Sequence, residues 1–450
     1  MSSFKLSSAF LLLLVVASCG PPSQLNIVIV TLDTTRADRL GTYGYTRNTS
    51  PNFDALANDS IVFERAYSQS ATTSPSHLSM MTGLRPQSHG VFNNGQRIRT
   101  EIPTLAERLS ARGYRTAAFV SAAVLSERLS DVSRGFETFD ANFPALRRGA
   151  DSTTRAALAW LENLEPGSPH FLFVHYYDAH GPFRATEERI AEFRRNTQPI
   201  PVEVPPYQRR KAGEGLFHDD IEYYSDVYDA AIQQQDESVA RLLGSIDKNR
   251  SIIIVLADHG ESLGERIEKL DHGHYVYEEA TRIPLLFHAP GLTPRRVTSP
   301  VETSDLVPTL LDWLGIPADD ELDGVSLVKT LKTGAPSPRA NALSFALVDP
   351  AALTDREYDL ERGFPIASLV TSAHKRWKLI RYPGAQGPID ELFDLENDPL
   401  EKTDVAESHA DVRDEIAAQL DLELIDFELY EHPPLSEELT SQLEALGYAE

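Results

Sequence analysis

Four stretches of the chain run apolar and β-branched almost without a break: Asn26–Asp33, Arg115–Ser121, His170–His175 and Ser251–Leu256. A strand with one wet face alternates apolar and polar residues. An unbroken run marks a strand covered on both faces, as in a parallel sheet. Between these runs the apolar period changes to that of a helix. Thr104–Arg112 reads this way, and so does Tyr228–Ile246, where Ile232, Val239, Leu242, Leu243 and Ile246 fall near helical spacing. Strands alternating with helices predict an α/β fold, a doubly wound, mainly parallel sheet with helices on both faces. Such sheets gather ligands beyond the carboxyl ends of their strands. Asp33, Asp258 and the segment His175–His180 stand at such ends.

Two regions depart from this pattern. Residues 184–220 hold Pro199-Ile200-Pro201, Pro205-Pro206 and the basic clusters Arg194-Arg195 and Arg209-Arg210-Lys211. They read as an insertion over the sheet edge, either a lid or a solvated loop. After about Ala340 the chain changes character. Trp377–Tyr382 and Glu391–Leu395, followed by Asn397-Asp398-Pro399, read as two strands and a turn. The expected division is a catalytic domain over 26–340 and a small C-terminal subdomain over 341–450. No fixed-period repeat is evident.

Composition narrows the picture. At 450 residues with a net charge of −25, the chain repels nucleic acid. An anionic substrate would need a local focus of positive charge, from a metal or a helix dipole. The first residues carry Lys5 and then an apolar run from Ala9 to Ala17, too short for a comfortable membrane span but suited to a secretory signal. The run ends in Val16-Ala17-Ser18-Cys19, which looks like a bacterial lipobox. The expectation is a signal over 1–18, lipidation of Cys19 and a Pro/Ser tether over 19–25. This would place the protein in the bacterial cell envelope, anchored to the outer membrane and facing the periplasm or the surface. Cys19 is the only cysteine, so neither an intrachain disulfide nor thiol catalysis is open to the chain.

The candidate chemistry centres on Thr72-Thr73-Ser74-Pro75-Ser76-His77, followed by Met80-Met81-Thr82-Gly83-Leu84. Thr73 and Ser74 are helix-capping residue types, and Pro75 suits a first helical turn. A helix beginning near Ser76 would present free N–H groups and positive dipole to an anion. The register Thr73-x-Pro75-Ser76-His77, with Met-Met-Thr-Gly after it, resembles the nucleophile element of the sulfatase family in the alkaline phosphatase superfamily. That family carries Cys or Ser there, oxidised to formylglycine. Threonine cannot yield formylglycine, because its oxidation product would be a ketone. The resemblance also implies the alkaline phosphatase-like fold and, from the Lys378-Leu379-Ile380 and Leu392–Pro399 patterns, a small C-terminal antiparallel sheet.

Carried over residue by residue, the resemblance implies a metal site of Asp33, Thr73, Asp258 and His259. Sulfatases usually carry a second aspartate after the first and bind calcium, but here that position is Thr34. One imidazole with few carboxylates suits zinc better, with manganese or calcium as alternatives. In Asp271-His272-Gly273-His274, His272 resembles the second-metal ligand of nucleotide pyrophosphatase/phosphodiesterases, with His274 the other candidate and a candidate catalytic group. In His175–Pro182, His180 resembles the histidine that contacts the substrate anion, and Asp178 is a candidate for a second metal. Either histidine could instead be a neutral core residue. Asn94 matches a phosphate-contacting asparagine in spacing, and it equally suits an Asn-Gly turn.

Two sulfatase cations are missing. His77 replaces the arginine of the nucleophile element, and Val120-Ser121-Ala122-Ala123 replaces a Lys/His element. The expected function is metal-dependent cleavage of a phosphate mono- or diester by Thr73, the substrate being a small molecule, a glycan or a lipid-headgroup ester. The alternatives are a sulfuric ester hydrolase on sulfated sugars, a phosphoethanolamine-type transferase, and an inactive metal-binding lipoprotein.

Overall fold

The computed structural model describes residues 24–143, 145–195, 218–265, 270–318, 322–347, 366–371, 376–384, 386–425 and 430–446. The expected signal over 1–18, Cys19 and most of the expected 184–220 insertion lie outside the described residues. No helix among the described residues is long and apolar enough to cross a membrane.

The strands are β1 (Asn26–Leu32), β2 (Ile61–Tyr67), β3 (Arg115–Phe119), β4 (Thr138–Asp140), β5 (His170–Tyr176) and β6 (Ser251–Leu256). A short hairpin follows, β7 (Ser262–Leu263) with β8 (Leu270–Asp271), and then β9 (Arg282–His288), β10 (Arg295–Val297) and β11 (Val301–Glu302). Among the described residues a nine-stranded sheet runs β10-β2-β9-β6-β1-β5-β3-β4, with β11 also on β2. Its pairs are parallel except those of β9, which is antiparallel to β2 and β6. The four unbroken apolar runs are the sheet's middle, β6-β1-β5-β3.

Burial on both faces explains those runs. Along β1 and β6, Ile27, Ile29, Ile252 and Ile254 meet Leu78 and Met80 of the Thr73–Thr82 helix, with Leu105 and Leu306. Val28, Val30, Ile253 and Val255 point the other way, to Phe53, Ala157, Tyr228 and Ile232. The period-two alternation of a strand is thus present but carries two apolar faces.

Helix limits differ from the expectation at three places. The Thr73–Thr82 helix closes a turn early: Thr72 is the N-cap and Ser76 N–H reaches Thr72 O at 3.1 Å. Thr104 caps Leu105–Ser110 through a capping box with Glu107. The predicted Tyr228–Ile246 helix runs from His218 to Leu243. In the insertion, Glu187–Phe193 is a helix packed on Val227 and Ala230 rather than an open loop.

The C-terminal unit is an antiparallel sheet of β12 (Asn341–Ala346), β13 (Ile366–Thr371), β14 (Trp377–Tyr382) and β15 (Ile389–Asp394). One face packs on Ile416 and Leu420 of the Ala410–Glu423 helix. The other face meets Tyr67 and Val276 of the large domain. The Glu437–Leu446 helix returns to the large domain, where Leu443 and Leu446 join its core.

Candidate active site

β1 and β6 are adjacent and parallel, with Thr31 opposite Leu256, so their ends deliver Asp33 and Asp258 to one place. Ser76 Oγ donates to Asp258 O at 2.7 Å and ties in the Thr73–Thr82 helix. Gly260 fits because a Cβ there would lie 1.9 Å from Glu279 O. The result is a buried cluster in which ligand atoms of Asp33, Asp258 and His259 all lie within 4.8 Å of one another. Thr73 Oγ1 is 3.3 Å from His259 Nε2.

Hydrogen bonds fix which atom of each group faces the centre. His259 Nδ1 donates to Gly260 O at 2.9 Å, which leaves the lone pair on Nε2. Asp258 Oδ1 accepts from Thr34 N and His259 N at 3.2 and 2.8 Å. Asp33 Oδ2 accepts from His175 Nε2 at 2.8 Å. The remaining oxygens, Asp33 Oδ1 and Asp258 Oδ2, are buried with no hydrogen-bond partner. Two such orphaned acceptors facing an imidazole lone pair are expensive unless a cation joins them. Burial, followed by the neighbouring Asp258 charge, pushes the Asp33 carboxyl well above its ordinary range. These residues fit a divalent metal.

Thr34 supports the frame with a backbone φ of +54°, unusual for a β-branched residue. Its Oγ1 donates to Ala179 O at 2.7 Å, and Tyr228 Oη donates to its carbonyl at 2.6 Å. Strain of this kind persists where the surroundings over-determine it.

The family model for sulfatases matches residues 25–316. The chain belongs to the sulfatase family. A second model, N-sulphoglucosamine sulphohydrolase, C-terminal, matches residues 270–428 and spans the small subdomain. Choline-sulfatase of Rhizobium meliloti (strain 1021) is 27% identical over 426 residues, covering 80% of this chain and 78% of the relative. A Δ4,5-hexuronate-2-O-sulfatase of Bacteroides thetaiotaomicron is 24% identical over 440 residues, covering 87% of each chain. The solved phosphonate monoester hydrolase of Agrobacterium radiobacter superposes with a TM-score of 0.72 at 20% identity, covering 92% of this chain and 99% of that one, which shows the shared fold. The sulfatase-family chain is therefore an ester hydrolase with the alkaline phosphatase-like architecture.

Within this sulfatase fold the other candidates fall into three groups. His272 and His180 join the site: the His272 ring lies 4.7 Å from His259 and 4.7 Å from His180. His272 Nδ1 is 3.2 Å from Glu261 Oε1; burial opposes its charge, but the Glu261 carboxylate outweighs this and raises its pKa. His180 donates from Nδ1 to Gly181 O at 2.7 Å, and burial holds its pKa well below the ordinary value. Asn94 lies over the Thr73–Thr82 helix start. Its Oδ1 accepts from Ser74 N at 2.9 Å, so its NH2 is the end left for a ligand.

Asp178 is directed elsewhere. Its Oδ2 accepts from Ala150 N at 2.8 Å, capping the Ala150–Glu162 helix, and Gln234 Nε2 donates to its Oδ1 at 3.4 Å. It is not in the cluster of ligand atoms that includes Asp33, Asp258 and His259. His274 is half-buried, its ring 6.5 Å from that of Tyr275, and it too lies outside that cluster.

His77 supplies no cation in place of the family's arginine. It bonds Thr73 O at 2.8 Å and Thr31 Oγ1 at 3.1 Å, and burial lowers its pKa to about 4. Sequence reasoning passed over His175 and Glu261. His175 opens the quoted His175–Pro182 segment and Glu261 lies two residues after His259, but only the pairing of β5 with β1 shows that His175 meets Asp33.

Proposed function

We propose that the chain hydrolyses phosphate or phosphonate esters, with Thr73 as nucleophile and a divalent cation held by Asp33, Asp258, His259 and Thr73. The observation that carries this reading is Thr73 Oγ1, 3.3 Å from His259 Nε2 beside two orphaned carboxylate oxygens. A cation bound there would lower the hydroxyl's pKa and screen the ester's oxygens. Thr73 Oγ1 would attack phosphorus in line, the ester oxygen leaving on the opposite side. The proton of Thr73 would pass to solvent and the leaving alkoxide would take one up. Water would then break the Thr73 Oγ1–P bond, releasing phosphate from a monoester, a phosphomonoester from a diester or a phosphonate from a phosphonate ester, and restoring the Thr73 hydroxyl. The Asn94 NH2 would hold one of the substrate's oxygens. The Thr73–Thr82 helix start adds little, because Ser74 N–H is taken by Asn94 Oδ1, Ser76 N–H by Thr72 O, and Pro75 has no N–H.

Three features favour phosphorus over sulfur. Thr73 cannot become formylglycine. His77 is a neutral hydrogen-bonding residue, and Ser121 N–H is engaged at 3.3 Å with His175 Nδ1. With the family's cations absent, neutralisation falls mainly on the metal, which a phosphoester exploits more than a singly charged sulfate ester. The second reading is a sulfuric ester hydrolase, favoured by the sulfatase relatives. A panel of aryl phosphate, phosphodiester, phosphonate and sulfate esters, assayed with zinc, manganese and calcium, separates them. The expected phosphoester advantage is roughly a hundredfold, or about 3 kcal/mol of barrier. Faster turnover of sulfate esters would replace the first reading with the second.

Lipidation at Cys19 is proposed as the anchor to the cell envelope. Fatty-acid labelling of wild type but not of Cys19→Ser is the expected result.

A further inference from the structure

Each carboxylate of the cluster has one oxygen occupied by the protein and one bare. For Asp258 the occupied oxygen is Oδ1, held by the backbone N–H groups of Thr34 and His259. For Asp33 it is Oδ2, and its donor is a side chain, His175. This donor is itself fixed on several sides. Thr31 pairs with His175 across β1 and β5, and Asp33 N donates to Tyr176 O at 2.9 Å. Ser121 N–H reaches His175 Nδ1 at 3.3 Å, which puts the imidazole proton on Nε2, facing Asp33. Ser121 Oγ donates to His175 O at 2.7 Å. The His175 ring, fully buried, also packs edge-on against His77 at 5.2 Å.

The consequence is a restricted donor set. It comprises one oxygen from Asp33, one from Asp258, Nε2 of His259 and Oγ1 of Thr73. Calcium takes six to eight oxygens and can draw on both oxygens of a carboxylate to reach that number. Zinc is content with four donors, nitrogen among them. We propose that His175 is a positioning residue that keeps Asp33 a one-oxygen donor and thereby turns the site from calcium toward zinc. The inference rests on the cation site proposed above. It deepens that reading by naming the residue that sets the metal preference.

The test uses the full chain, stripped of metal, and measures zinc and calcium affinities by competition with a chromophoric chelator. His175→Leu removes the donor, and His175→Gln returns an N–H at similar reach. His175→Leu is expected to lose about 10–100-fold in zinc affinity, in line with other outer ligand partners. Its calcium-to-zinc preference should shift toward calcium by about tenfold, because Asp33 Oδ2 becomes free to bind. His175→Gln should recover most of both losses, a rescue that general loosening of the core would not show. Unchanged zinc affinity and unchanged preference in His175→Leu overturn the inference while leaving the cation site standing. Wild type that binds neither ion overturns the cation site and the inference with it. Should His175→Leu fail to fold, a zinc-loaded crystal of the wild type decides. Asp33 Oδ2 resting on His175 Nε2 at about 3 Å supports the inference, and both Asp33 oxygens on zinc overturn it.

Discussion

Two of the acidic clusters buried among the described residues are built in opposite ways. One is Asp33, Asp258 and His259 at the strand ends. The other is Glu302 and Asp305, where the large domain meets the C-terminal sheet. All four carboxylates are fully buried. Arg85 meets Glu302 with Nε and NH2, each at 3.0 Å, and Arg339 adds a contact to Glu302 at 3.1 Å and a two-pronged one to Asp305. Leu343 N and Ser304 Oγ also donate to Glu302, each at 2.9 Å. Burial pushes both Glu302 and Asp33 up, yet they end on opposite sides of the ordinary range. The two guanidiniums bring Glu302 below it, whereas Asp258 drives Asp33 further above. A buried charge that brings its own counter-charge is structural. One that faces another carboxylate and leaves lone pairs unused is a site for a cation.

The comparison breaks first at Thr73. Thr73→Ala removes the proposed nucleophile and one metal donor, and turnover should fall on the order of 10^4-fold. Metal-free thermal unfolding should barely move, because the lost hydroxyl bridges no domain interface. Turnover within tenfold of wild type would refute the nucleophile assignment. Arg339→Met is expected to behave in the opposite way. It strands Glu302 and Asp305, and breaking such a buried pair costs about 3–5 kcal/mol. Urea unfolding should show that loss, with metal stoichiometry unchanged in the folded fraction. A loss below about 1 kcal/mol would mean the quartet is not the structural cluster described.

Asp33→Asn sharpens the contrast. The new amide can still accept from His175 and can offer an N–H towards Asp258. Metal affinity should drop by more than about 100-fold, since a first-sphere ligand is gone. Metal-free stability should rise by about 1 kcal/mol, because repulsion is replaced by a hydrogen bond. Destabilisation of the metal-free protein would show that Asp33 is already compensated.

Much of this was legible in the sequence because it is local. Unbroken Ile/Val runs ending in Asp33 and Asp258 announce buried parallel strands and what stands at their ends. The helical pattern of Thr104–Arg112 announces the helix that the structure shows over Leu105–Ser110. What was not legible depends on neighbours distant in the chain. β2 and β9, an antiparallel pair inside the sheet, carry no run long enough to stand out. Asp178 and His180 look equivalent as letters, yet Asp178 turns to cap the Ala150–Glu162 helix while His180 turns to His272. His175 is ordinary until β5 is placed beside β1. The Arg85–Glu302–Arg339–Asp305 quartet does not stand out as a motif, since Arg85, Arg339 and the Glu302–Asp305 pair lie far apart in sequence and meet only in the fold.

Acid should separate the two clusters as well. His77 beside the site and His89 near it are held neutral by burial, their pKa values lowered from 6.5 to about 4 and about 3. The unfolded chain therefore takes up these protons first as pH falls through 6.5, and the folded chain does not. Their contribution to stability is complete above pH 6.5 and declines toward pH 4. Glu302 is depressed instead, so its contribution holds above its ordinary 4.5 and is lost only as pH falls through the lower folded value. Between pH 6.5 and 5 the histidines act and Glu302 does not, while burial raises Asp305 above its ordinary value. Asp178 and Asp236, held near 6 by burial, work in the opposite sense and flatten the wild-type curve. The difference between variants isolates one group. His89 accepts from Val91 N at 3.1 Å and donates to Ser79 Oγ at 3.0 Å, both of which a glutamine can imitate. His89→Gln should remove about 1.4 kcal/mol of acid destabilisation per pH unit, or about 2 kcal/mol from pH 6.5 to 5. Urea midpoints measured across that range give the slope directly. Identical slopes in wild type and variant would mean that His89 titrates alike in the folded and unfolded protein, and that its burial against Ser79 and Val91 does not hold it neutral.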